Sequence, residues 1–319
     1  MSQGSPAFPA LPSWTEDSRL LDLELMHQYT ASTFKSISVP TVNGDVWQVF
    51  VPRQALKYEF LMHAILGLAA LQVSVEDADQ REKYKCAYLN HQSQGFAAFS
   101  EALSKLDENN CHSLFAFAVI AMIFALASPQ HITTSTSLDN DNTADCQRVF
   151  ILCDFLQGIT TVAVAGWQWI KDGPFGVFLD LDNNITLHSL DAEDEDMLKR
   201  LHKFNDTLLA VVDPLAHMTI TSSIHLLEKC IRGGEMMALA WVAMCGKHFM
   251  TLLGQHQRLA QLVFMHWTIL LNRLDRLWWV KGAAELWFNE ISSELVVLGP
   301  EWLEVVEDIR SKHRLQRKP

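Results

Sequence analysis

From residue 16 onward the chain places apolar residues at spacings of three and four, the period of a helix with one buried face. A first helix is expected over 16–38, with Thr15 as its N-cap and Leu21, Leu25, Gln28 and Tyr29 along one side. The stretch from Pro40 to Pro52 breaks the pattern. A second helix over 53–75 sets Phe60, His63, Ala64, Gly67, Leu68 and Leu71 on one face. A third, over 79–109, starts with charge and carries Phe96 and Phe99 on a mixed face. The fourth, 111–127, is apolar almost all round, which places it at the centre of a bundle.

Residues 128–144, rich in Ser, Thr, Asp and Asn, form a polar loop. Helix resumes over 145–165 and runs into a short turn at 167–170 that Gly173 and Pro174 stop. The acids at Asp191 and Glu193 to Asp196 suit a helix N-terminus, and the segment 196–231 should split or kink at Pro214. After Gly233 and Gly234, shorter helices are expected over 235–244 and 247–254. The segment 258–280 is a second central helix, because residues 262–271 read LVFMHWTILL with only His266 and Thr268 polar. Helices over 283–297 and 300–314 close the chain, with Pro300 in the N1 position it favours.

No stretch alternates with period two, and no unit recurs at a fixed spacing. The expected fold is therefore all-α: a single large orthogonal bundle of about ten or more helices around a central hydrophobic pocket. One domain spans 15–314, with flexible tails at 1–14 and 315–319 and a mobile loop at 128–144.

Composition narrows the function. Acids outnumber bases 37 to 25 for a formal charge of −12, which disfavours general attraction to nucleic acid or anionic lipid. The N-terminus lacks the basic start and apolar core of a secretory signal. The longest apolar run, Leu114 to Ala127, is about 14 residues against the roughly 20 that span a bilayer, so no membrane insertion is expected. The six cysteines contain no CxxC pair and read as reduced, mostly packed thiols. The expected location is cytoplasmic, or nuclear for a transcription-factor fragment.

Several catalytic signatures are missing: GxSxG, a Gly-rich phosphate loop, HExxH and a DDxxD-type acidic helix. Asp180 and Asp182, before Asn183 and Asn184, have turn composition. His27, His63 and His266 sit on apolar or half-buried faces, as hydrogen-bonded structural histidines do. His248 and His256 have no carboxylate at metal-ligand spacing. Neither a metal nor a cofactor is expected.

Five segments carry a family likeness: LDLELMHQYT (21–30), FLMHAILGLAAL (60–71), the stretch from AYLNHQSQGFAAF to NNCHSLFAFAVI (87–120), LQGITTVAVAGWQWIKDGPFG (156–176) and HWTILLNRLDRLWWVKG (266–282). Together they resemble the C-terminal regulatory domain of fungal binuclear zinc-cluster transcription factors, the sterol uptake control protein group in particular. The resemblance implies an all-α domain that holds a sterol in an apolar pocket and couples occupancy to transcription. Two departures stand out. No cysteine precedes Cys86, so the family's six-cysteine cluster is not in this sequence and, taken as the native chain, it should not bind DNA by that route. Where relatives tend to show Trp-Pro, Val242 follows Trp241, and Met244 to His248 read MCGKH.

Aromatic and sulfur-bearing residues suit the wall of a large apolar cavity, and Phe60, His63, Phe117, Met122, Trp241, Met244, Phe264, Trp267 and Trp279 are the candidate ligand contacts. As hydrogen-bond donors able to polarise a bound carbonyl, the indoles of Trp167 and Trp278 and the rings of His248 and His266 are the candidate catalytic groups. The expected partner is a bulky hydrophobic terpenoid, polyketide or sterol-like molecule; a homodimer stays open. Because the sequence opens at Met1 without a zinc cluster, the expectation leans to a stand-alone, cofactor-independent cyclase or pericyclase of fungal secondary metabolism, working by positioning. The alternatives are a sterol- or lipid-sensing regulatory domain, and a helical adaptor without a cavity.

Overall fold

The computed structural model describes residues 16–37, 46–131, 161–176, 188–208, 213–233, 237–296 and 299–315. Every regular element among them is helical. The expected tails apart from Leu315, the Thr15 cap, most of the 128–144 loop, most of the helix expected over 145–165 and Asp180 to Asn184 lie outside these residues.

Helix α1 covers Glu16–Ala31 and is followed by a 3-10 turn at Thr33–Ser36, where one helix to 38 was expected. A π turn at Val46–Phe50 leads into α2, Val51–Ala55, with Pro52 in its first turn. The chain then breaks before α3, Glu59–Glu76, so the helix expected over 53–75 is two. The break coincides with a long-range contact: Tyr58 is extended (φ −126°, ψ 109°) and its hydroxyl donates to the Asn109 carbonyl at 2.9 Å, anchoring the chain across the fold.

Helix α4, Arg81–Leu103, follows Asp77, whose carboxylate accepts the backbone N–H groups of Asp79 and Gln80. Asp107 does the same for Asn109 and Asn110 ahead of α5, Cys111–His131, which runs four residues past its expected end. Helix α6 is the short turn Trp167–Ile170. The acid run opens α7, Ala192–Leu208, as expected, with the Asp191 side chain accepting from the Asp194 N–H at 2.7 Å. The split at Pro214 is also present: α8 covers Pro214–Arg232, and Asp213 caps it by accepting from the Ala216 N–H at 3.0 Å.

Helices α9, Met237–Met244, and α10, Gly246–Gly254, precede α11, Arg258–Asn272. Helix α11 stops eight residues short of the expected end at Val280, and tight turns carry the chain on to α12, Ala283–Val296, and α13, Pro300–Leu315.

Packing follows the apolar pattern. Helices α3 and α4 form the most intimate pair, with α1 and α5 against α3; α11 packs on α12 and is surrounded by α8, α9, α10 and α13. Helix α5 touches α12 and so joins the two groups, and one contiguous apolar core runs through both. From Leu259 to Asn272 every residue of α11 is buried. Helix α3 has the length and apolarity to cross a membrane, but 72% of it is buried inside the fold, the mark of a core helix.

Full burial of a Leu or Phe contributes roughly 1.5–3 kcal/mol, and truncation adds the cost of the cavity left behind. Phe264→Ala in α11 should therefore lower stability by about 3–5 kcal/mol in a denaturant titration. Leu215→Ala, at a side chain 61% exposed, should move it by less than about 0.5 kcal/mol.

Candidate functional site

The expected ligand contacts fall into sets held by different elements. In the first, Phe60 of α3 meets Phe117 of α5 edge-on (5.8 Å between centroids), and Phe99 of α4 stacks on Phe117 at 4.3 Å. His63 is buried beside them, with its Nδ1 3.0 Å from Nδ1 of His91. In the second, Trp241 of α9 lies nearly parallel to Trp267 of α11 (5.9 Å, 23°), with Phe249 against Trp241 and Phe264 against Trp267. Met244 is half-buried three residues after Trp241, and Met122 is buried on α5. Trp279 stands apart from both sets, at the 3-10 turn.

Four indoles are oriented by N–H bonds that replace those lost to water. Trp241 donates to the Ser223 carbonyl at 3.0 Å and Trp267 to the Ala238 carbonyl at 2.6 Å. Trp278 donates to Ser36 Oγ and Trp279 to the Ser36 carbonyl, both at 3.0 Å, tying the turn after α11 to the start of the chain.

The four expected catalytic donors do not form one constellation. Trp167 is 46% exposed on α6, and His248 is exposed on α10. His266 is buried, its Nδ1 2.8 Å from the Leu262 carbonyl one turn earlier, and the Trp278 N–H is committed to Ser36. Solvent competes for the first two, and backbone or hydroxyl groups hold the others.

Of the histidines expected on apolar faces, His63 and His266 are buried and bonded, whereas His27 is exposed. His256, which has no carboxylate near it in sequence, receives one in space: its Nδ1 is 2.7 Å from Glu294 of α12. Among the described residues no group of three or more His, Cys, Asp or Glu could hold a metal ion.

Sequence reasoning missed a further aromatic compartment. Phe175 makes ring contacts with Trp47, Phe50, His112 and Phe115 at 5.2 to 6.3 Å. Gly173 lies directly over the His112 ring, where a Cβ would come within 2.1 Å of it. Trp47 Nε1 and His112 Nδ1 are buried without a hydrogen-bond partner. Burial pushes the His112 imidazole below the ordinary histidine range, which keeps it neutral at pH 7. The available signal was the GPFG stretch within one of the family-like segments.

A recess of about 380 Å³ opens between α7 and the C-terminal half of α8, lined by Glu195, Leu198, Lys199, His202, Glu228 and Arg232 together with Ser189 and Leu190. Its charges are already paired, Lys199 with Glu195 and Arg232 with Glu228, each at 2.9 Å. None of the expected ligand contacts lines it.

Residues 24–143 match the family model described as the fungal specific transcription factor domain. That part of the chain is similar to the regulatory domains of fungal transcription factors. It is 25% identical over 280 residues to a Zn(2)-C6 fungal-type transcription factor of Gibberella zeae, covering 83% of this chain and 56% of that protein. It is 26% identical over 164 residues to sterol uptake control protein 2 of Saccharomyces cerevisiae (51% of this chain, 17% of that protein). The Candida albicans protein of the same name is 24% identical over 182 residues (56% and 24%). The chain thus spans between 17% and 56% of the length of these relatives. These relatives favour the regulatory alternative and lend no support to a biosynthetic cyclase, in keeping with the scattered donors.

Cys111 and Cys230 are buried, Cys245 is half-buried and Cys86 is exposed, all as free thiols. Burial pushes the Cys230 thiol up to about 12, so almost no reactive thiolate exists at neutral pH. Mass-spectrometric mapping of maleimide labelling at pH 7.5 should find Cys86 modified on the order of 100-fold faster than Cys230 while the chain is folded.

Proposed function

We propose that this chain is the ligand-responsive regulatory domain of a fungal transcription factor, and that its ligand is a bulky hydrophobic molecule of the sterol type bearing a polar oxygen. The observation that carries the regulatory part is the family match over residues 24–143, joined by relatives named for sterol uptake control. Such a domain works by differential affinity: a guest that prefers one of two arrangements of the helices shifts their populations toward it. The proposed setting is the nucleus or the cytoplasm, with DNA contact supplied by other parts of a longer protein.

The compartment around Phe175 supports the polar-oxygen part. A buried indole N–H without an acceptor costs about 1–3 kcal/mol, and a guest hydroxyl or keto oxygen at that position would recover it. The neutral ring of His112 offers a second polar contact beside it. The groups around these two nitrogens are aromatic rings in contact, and opened around a guest they would suit a rigid polycyclic body and offer nothing to a charged one.

Dehydroergosterol, a fluorescent sterol, tests the proposal directly because the ten tryptophans of the chain can transfer excitation to it. Titration should saturate at one sterol per chain, and Trp47→Phe should weaken binding by about tenfold, corresponding to roughly 1.4 kcal/mol. Tight binding of a linear isoprenoid in place of the sterol would move the ligand class, and a flat titration with both would leave the helical-adaptor alternative standing.

A further inference from the structure

Helices α3 and α4 share a local pattern: His63 stands four residues before Gly67, and His91 four before Gly95. A Cβ on Gly67 would meet the Cβ of His91 at 3.4 Å, and one on Gly95 would meet the Cβ of His63 at 3.3 Å. Each histidine therefore packs over the glycine of the opposite helix. This reciprocal fit lets the helices approach closely enough for the two imidazoles to meet, Nδ1 to Nδ1, at 3.0 Å. Both residues are buried (8% and 5% exposed).

The outer nitrogens face carboxylates. His91 Nε2 is 3.3 Å from Asp22 on α1, and His63 Nε2 is 3.7 Å from Glu59 in the first turn of α3. Asp22, His91, His63 and Glu59 thus form one chain across three helices. The other facing groups are apolar, since α5 presents Phe117 and Phe124 to the two glycines. Further along the seam between α1 and α4, Glu24, Tyr84 and Lys83 bond among themselves.

Proton counting fixes the roles. An ionised Asp22 only accepts, so His91 must present an N–H at Nε2, and in its neutral form its Nδ1 carries a lone pair. His63 then donates its Nδ1–H to that lone pair. His63 Nε2 points away from this contact, 3.7 Å from Glu59. A proton added at His91 Nδ1 would confront the His63 N–H at 3.0 Å inside the protein.

We propose that the His63–His91 pair is an acid-sensitive latch joining α1, α3 and α4, closed while His91 Nδ1 carries a lone pair and opened when that nitrogen takes up a proton. Burial is the main influence that holds the His91 imidazole below the ordinary histidine range; Asp22 pulls the other way, and His63 adds to the depression. The sign follows from linkage. A base with a lowered pKa in the fold binds fewer protons than in the unfolded chain, so its stabilisation is present above the unfolded value of about 6.5 and is lost as pH falls below it. The consequence for the fold is a loosened α1, because Asp22 is the contact that extends the chain of bonds to that helix.

Thermal melting and hydrogen exchange at pH 7.5 and 5.0 test the latch on the full chain. The melting midpoint should drop on acidification, and α1 amides should exchange about tenfold faster at matched intrinsic rate. His91→Asn should at least halve the pH response. Imidazole nitrogen NMR of the unmutated chain should show His91 Nδ1 unprotonated at pH 7 and titrating below the ordinary range, a readout that decides the matter even if the variant does not fold. Equal melting at both pH values, an undiminished pH response in His91→Asn, or ordinary titration of His91 would each overturn the proposal.

Discussion

Two helices buried along most of their described length, α5 and α11, have to be covered on every side, and most of the architecture is the consequence of that demand. A helix apolar all round gains nothing from one partner; it needs a ring of them. Around α11 the ring is built from α8, α9, α10, α12 and α13, while α3 packs against α5 and carries α1 and α4 on its other sides. The cover uses large aromatic groups, and four of its indoles bring with them a requirement for an acceptor. That requirement places Trp241 on Ser223, Trp267 on Ala238, and Trp278 and Trp279 on Ser36, so that hydrogen bonds set the angles at which the greasy surfaces meet.

The same packing explains why a regulatory reading suits the fold better than a catalytic one. Groups able to polarise a substrate are either exposed, as His248 and Trp167 are, or held by structural partners, as His266 and Trp278 are. What the interior offers instead is aromatic surface and two unpartnered nitrogens beside Phe175. Recognition by shape with one or two polar contacts is how a sensor of an uncharged polycycle would work. It needs no reacting atom.

Much of this was legible in the sequence, and the limits are physical. Periodicity and composition gave the all-helical class, the two central helices, the split at Pro214 and the acidic start of α7, because each depends on residues close in the chain. The break at Tyr58 was not readable, since the bond that accompanies it reaches Asn109, 51 positions away. Trp278 had the composition of a free donor, yet its acceptor lies 242 positions upstream. The aromatic contacts were recognised as a set, but one-dimensional spacing could not divide them among separate packing sites. His91 escaped notice because its significance comes only from facing His63, although the repeated spacing of histidine and glycine in α3 and α4 was present in the text.

Native mass spectrometry of the chain purified from a sterol-producing fungal host tests the central claim most directly, that this fold exists to hold one bulky hydrophobic molecule. A population carrying a single adduct of sterol mass, released by organic solvent and depleted in Trp47→Phe, is the predicted result. Bare protein at every mild ionisation setting, from a host rich in sterols and with the helical content intact, would contradict it.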